Sequence, residues 1–170
     1  MRAALLLAVL LIGVDAGAAS AADDAFLSRL VGEWIGRGTM RTSPEAEPER
    51  VYCRIANTLS SDGRTLQQKG RCSLASNSGP IDGTIAALGS NLYGGSLNSL
   101  ASRGPTTIAG STNGSRLELS ADFVDSFDGK PAHATIVIHL VSGGGYRLTS
   151  TRVHPETGEP YTASEIVFAE

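Results

Sequence analysis

From residue 32 onward the chain alternates apolar and polar residues in short runs, broken at short intervals by Gly, Asn, Asp, Ser and Pro. That period of two is the signature of half-buried strands. The runs predict ten strands, near 33–41, 50–60, 64–74, 80–88, 91–100, 105–112, 115–125, 130–142, 145–153 and 161–169. Ahead of them, "DDAFLSRL" reads as one short helix capped by Asp23 or Asp24.

Turn dipeptides set the expected registers. Asp62-Gly63, Asn113-Gly114 and Asp128-Gly129 suit type I′ hairpins, in which both central residues take positive φ. Centred on Asp62-Gly63, the hairpin sets Leu59 against Leu66, Asn57 against Gln68, Ile55 against Gly70, Cys53 against Cys72 and Val51 against Leu74. Asn113-Gly114 predicts Gly110 against Leu117 and Ile108 against Leu119. Asp128-Gly129 predicts Phe123 against Ala134, Ala121 against Ile136, Leu119 against Ile138 and Leu117 against Leu140, with Asp122 facing Thr135 and Glu118 facing His139. A turn at Gly143–Gly145 pairs Leu140 with Tyr146 and Ile138 with Leu148, and one at Pro155–Gly158 pairs Leu148 with Ile166 and Tyr146 with Phe168.

Almost every link is short and none is of helix length, so the fold class is all-β: an antiparallel up-and-down meander that closes as a barrel and removes its edges. An outer-membrane barrel would turn its apolar face outward. Here the polar face carries Arg54, Lys69, Arg71, Glu118 and His139, so the chain is not expected to span a membrane.

Upstream, Arg2 precedes an apolar run from Ala3 to Val14, and Ala19-Ser20-Ala21 resembles a signal-peptidase site. Residues 1–22 therefore read as a signal peptide and 23–170 as one domain, periplasmic or secreted. Removing Arg2 and Asp15, one of each sign, leaves the net charge at −3, which argues against nucleic acid as a partner. Gly is abundant at 20 residues while aromatics make up 5%, so large rings will not fill the interior. In an oxidising compartment Cys53 and Cys72, set opposite each other by the Asp62-Gly63 register, are expected to form a disulfide.

On the first strand Trp34, Gly36, Gly38 and Met40 share the inner face and Ile35, Arg37, Thr39 and Arg41 the outer. A short helix, then Gly32-x-Trp34 on the first strand, then a β meander resembles the calycin superfamily, which includes lipocalins, fatty-acid-binding proteins and nitrobindin-like haem proteins. The same Gly-x-Trp strand with an early Cys pair is also similar to secreted bacterial inhibitors of serralysin-type metalloproteases, whose barrels have eight strands.

Small inner residues suggest a cavity, lined by Trp34, Gly36, Gly38, Met40, Ile55, Gly70, Gly110, Ala121, Ile136, Ile138 and Leu148; the alternative is a flattened barrel whose walls meet. His133 and His139 point outward and His154 sits in a turn, so no haem ligand is expected inside. Asp122, Asp125 and Asp128 lack the spacing of a calcium loop, and two Cys without a His pair cannot close a zinc shell. No cofactor, metal site or catalytic motif is expected, hence no enzyme. Arg54 opposite Arg71, with Lys69 beside them, forms a patch that calls for an anion: either the acidic loop Glu45, Glu47 and Glu49, or an acidic partner or ligand. The chain thus reads as an exported barrel binding a small apolar ligand, or alternatively as a periplasmic interaction protein, such as a metalloprotease inhibitor, that meets its protein partner through the tail segment "ADDAF" or a rim loop.

Overall fold

The computed structural model describes residues 24–170; the expected signal peptide, residues 1–22, lies outside them. A single 3₁₀ turn, Leu27–Leu30, precedes ten strands: β1 (Gly32–Met40), β2 (Glu49–Leu59), β3 (Thr65–Ser73), β4 (Ser78–Gly89), β5 (Leu92–Asn98), β6 (Thr106–Asn113), β7 (Arg116–Val124), β8 (Pro131–Leu140), β9 (Tyr146–Val153) and β10 (Pro160–Ala169). Each strand pairs antiparallel with its chain neighbours, and β10 returns to β1, so the sheet closes as an up-and-down barrel. The expected short helix is only this one turn. Asp24 caps it, accepting the N–H groups of Phe26 (3.1 Å) and Leu27 (2.9 Å), and the chain is already extended at Val31.

Three of the five expected registers are present: Cys53 faces Cys72, Leu140 faces Tyr146, and Tyr146 faces Phe168. The other two are shifted by two residues. Gly110 faces Leu119 rather than Leu117, because the β6–β7 turn is Gly114-Ser115 and Asn113 stays in its strand. Only Gly114 of these takes positive φ (61°), which suits the Gly-first type II′ turn. Leu117 faces Ile138 rather than Leu140, and Phe123 faces Ala132 rather than Ala134, because residues 126–129 form a longer loop closed by Asp125 N–H donating to Lys130 O at 2.8 Å. Consequently Asp122 meets His133, not Thr135, and Glu118 meets Val137, not His139.

The physical reason lies outside the hairpin. The Asp125 carboxylate accepts Phe127 N–H at 2.8 Å and pairs with Arg152, while Ser126 donates to the carbonyls of Leu100 and Ala101. A shift of two equals the strand period, so every residue keeps its expected face. At Asp62-Gly63 the turn is also longer than type I′, closed by Ser60 N–H donating to Thr65 O at 2.8 Å, yet its centre is unchanged and the register stands. Positive φ at both central residues occurs instead at Ser90 (51°) and Asn91 (62°), between β4 and β5.

The glycines behind Trp34 do not leave holes. A Cβ on Gly38 would overlap the carbonyl oxygen of Glu165, and one on Gly110 that of Glu118. Gly36 is covered by the Phe168 ring. These positions allow close backbone approach where the sheet coils tightly. The core concentrates at one end of the barrel. There Trp34 donates from Nε1 to Leu30 O at 2.8 Å and meets Tyr146 edge-on at 5.4 Å. Tyr146 stacks on Phe168 at 4.7 Å, and Leu27 and Leu30 complete the plug.

The outward faces are mixed but carry many charged residues. Arg54, Lys69, Arg71, Glu118 and His139 are all exposed, the reverse of a lipid-facing wall. No helix among the described residues is long and apolar enough to cross a membrane.

The disulfide joins Cys53 to Cys72 across β2 and β3, both buried, with a sequence separation of 19. Replacing both with Ala is expected to lower unfolding stability by roughly 3 kcal/mol in the chain-entropy account. Urea denaturation of the double variant checks this, and an unchanged midpoint refutes it. Gly110→Ala forces a backbone shift and is expected to cost about 1–3 kcal/mol, more than Gly36→Ala, where only a side-chain ring must move. Equal losses at the two sites would contradict the close-approach account.

Candidate functional site

Strand direction separates the two ends of the barrel. The turn Leu27–Leu30, Trp34 and Tyr146 close one end. At the other end β1 leads into the segment 41–48, and the loops 99–105, 125–130 and 154–159 gather. A cavity of about 150 Å³ lies toward this second end. Its apolar wall includes Val51, Ile55, Ala121, Ile136, Leu148 and Phe168, and the Cys53–Cys72 bridge forms part of it. Gln68, Thr106, Ser150 and Ser164 supply hydroxyl and amide groups, and Phe127, 52% exposed, stands at the rim.

Of the residues expected to line an interior site, Met40, Ile55, Ala121, Ile136 and Leu148 border this cavity. Trp34, Gly36, Gly38, Gly70, Gly110 and Ile138 do not border it. Trp34 is committed to the plug, and Gly36 lies beneath Phe168. Gly38, Gly70 and Gly110 press against the carbonyls of Glu165, Arg54 and Glu118, and Ile138 is buried in the main core. Two short side chains on its wall, Ala121 and Ala134, are cross-strand neighbours on β7 and β8.

The rim carries charges that strand parity alone did not assign. Arg152 and Asp125 form an ion pair at 2.7 Å, with side chains 18% and 7% exposed, and the Arg152 guanidinium also lies over the Phe123 ring at 5.5 Å. Arg41 donates to Ala46 O at 3.0 Å. His154 meets Glu45 at 3.0 Å, and that carboxyl is held below its ordinary value, first by its own backbone N–H. Asp122, Asp125 and Asp128 have separate partners, His133, Arg152 and Lys130 respectively, and Asp125 is buried rather than solvated in its turn. Among the described residues no three His, Cys, Asp or Glu side chains gather as a metal site.

On the outer wall Arg54 faces Arg71 directly, and Lys69 follows two residues earlier on β3. The acidic loop does not cover them. Glu45 goes to His154, and Glu49 accepts both the hydroxyl (2.8 Å) and the N–H (3.0 Å) of Ser76. Instead Arg37 and Arg54 lie over the Tyr52 ring, at 5.5 and 5.7 Å. The cross-strand position of Arg37 opposite Tyr52 was available from parity once the β1–β2 register was known. No protein-family profile matches the chain, and no curated protein sequence does.

Between plug and cavity runs a buried polar strip. Asn57 donates to Leu30 O at 2.8 Å and accepts from Gln68 at 3.2 Å. Beside it the Tyr146 hydroxyl is buried without a hydrogen-bond partner. Burial holds this phenol far above the ordinary tyrosine value of 10.0. The folded state therefore keeps a proton that the unfolded chain loses near pH 10, so its contribution to stability is full below that pH and declines above it. Tyr146→Phe removes the orphan group. It is expected to be neutral or stabilising by about 1 kcal/mol at pH 7 and to flatten the loss of stability above pH 10. Denaturation midpoints across that range check it, and a large loss at neutral pH refutes it.

Proposed function

We propose that this chain is an exported, calycin-like binding barrel that holds one small, largely apolar molecule, and that it works by binding rather than by catalysis. The observation that carries the reading is the cavity of about 150 Å³, apolar on most of its wall and placed at the end without the plug. Its size sets the class of occupant. Pockets for drug-sized ligands run from about 300 Å³ upward, whereas an apolar cavity of roughly 150 Å³ suits a single ring. A long acyl chain is too large for it. Gln68, Ser150 and Ser164 offer the occupant one polar contact. Export is supported by the apolar run of residues 3–14 and by the disulfide.

The protease-inhibitor alternative rests on the Cys pair and on either the tail segment "ADDAF" or a rim loop as the contact. In the barrel Asp24 accepts from the Tyr93 hydroxyl at 3.0 Å and Phe26 is buried, so these two residues already serve the plug. That weighs against the tail version of the alternative and favours the binding barrel.

The test is thermal denaturation in the presence of benzene, toluene, phenol or indole. A fitting ligand at a hundredfold excess over its Kd is expected to stabilise by about 2.7 kcal/mol. Ala121→Phe places a ring in the cavity and is expected to abolish that shift while the barrel stays folded by circular dichroism. No shift with any probe, or an equal shift in Ala121→Phe, refutes the reading.

A further inference from the structure

The outer wall of β1, β2 and β3 carries Arg37, Arg50, Arg54, Lys69 and Arg71, all exposed, on a chain whose net charge is −3. Among the described residues none of these five lies within ion-pair distance of a carboxylate. Arg116, Lys130, Arg147 and Arg152, by contrast, all do. The flanking carboxylates are Glu33, which faces Ala56, Asp82, which faces Lys69 and accepts from Asn98, and Glu165, which is held by Arg147.

Register brings the cations together against their mutual repulsion. Arg54 and Arg71 occupy directly opposed positions, where like charges destabilise a sheet. Tyr52 orders two of the guanidinium groups, from Arg37 and Arg54, without neutralising either. Arginine forks held on a ring are prepared for bidentate contact with carboxylates. Because the sheet is closed, no partner can add a strand here, so recognition runs through these side chains.

We propose that this wall is a docking surface for a short acidic segment of a partner protein, independent of the interior cavity. Tyr and Arg are the residues on which protein interfaces concentrate their binding energy. Asp82 on one side and Glu165 on the other bound the patch to about three strands. That width suits a short carboxylate-rich peptide and would repel a long phosphate backbone or an anionic bilayer.

The experiment uses a fluorescein-labelled oligoglutamate peptide, read by anisotropy at low salt, with short duplex DNA and phosphatidylglycerol-rich vesicles as competing arms. The peptide is expected to bind, to weaken with added salt, and to lose about tenfold in affinity in Arg54→Gln/Arg71→Gln. Arg116→Gln, on the other side of the barrel, is expected to change it little. Without peptide, the double variant is expected to melt at a higher temperature, because the opposed charges are gone. The proposal is overturned if the peptide does not bind, if Arg116→Gln weakens it equally, or if DNA or vesicles bind more tightly than the peptide. It is also overturned if the double variant melts lower, which would make the arginines structural.

Discussion

The pairing of β1 with β10 is the constraint on which the rest of this molecule depends. Closing ten strands satisfies every backbone edge, but it forces neighbouring strands to coil so tightly that some inner positions have no room for a Cβ. Gly38 sits in that closing pair, against Glu165 of β10, and Gly110 plays the same part between β6 and β7. With few aromatics available, closure also leaves an interior too wide to fill uniformly. The chain concentrates Trp34, Tyr146 and Phe168 at one end and tolerates space at the other.

That uneven filling couples stability to the candidate site. The plug carries the tight packing and the buried hydrogen bonds to Leu30 O. The cavity end relies more on the Cys53–Cys72 bridge and on the Arg152–Asp125 pair at its rim. A buried ion pair adds little net stability, but breaking one half of it is costly. Its position between β9 and the β7–β8 loop suits a part that holds the rim in one arrangement.

The barrel separates its two chemistries by strand parity. Apolar and small side chains point in, where burial drives folding, and the cations of β1 to β3 point out, where they cost little in desolvation. One strand therefore serves both surfaces through alternate residues: Ile55 lines the cavity while its neighbour Arg54 stands outside. Interior and exterior sites can change independently on such a wall.

Strand positions, faces and the disulfide were legible in the sequence because they depend on local properties: a period of two, turn residues, and the distance of Cys53 and Cys72 from Asp62-Gly63. The registers around Asn113-Gly114 and Asp128-Gly129 were not: at the first, Gly114 also suits a Gly-first turn one residue later, and at the second the turn is set by contacts from elsewhere, Arg152 on Asp125 and the Leu100 carbonyl on Ser126. Nor was the location of the cavity. A glycine in the sequence marks a missing side chain, but only the fold decides whether a carbonyl, a Phe168 ring or empty space takes its place. Faces follow from chain geometry, whereas volume is shared among residues distant in sequence, so the tertiary structure alone settled where space remained.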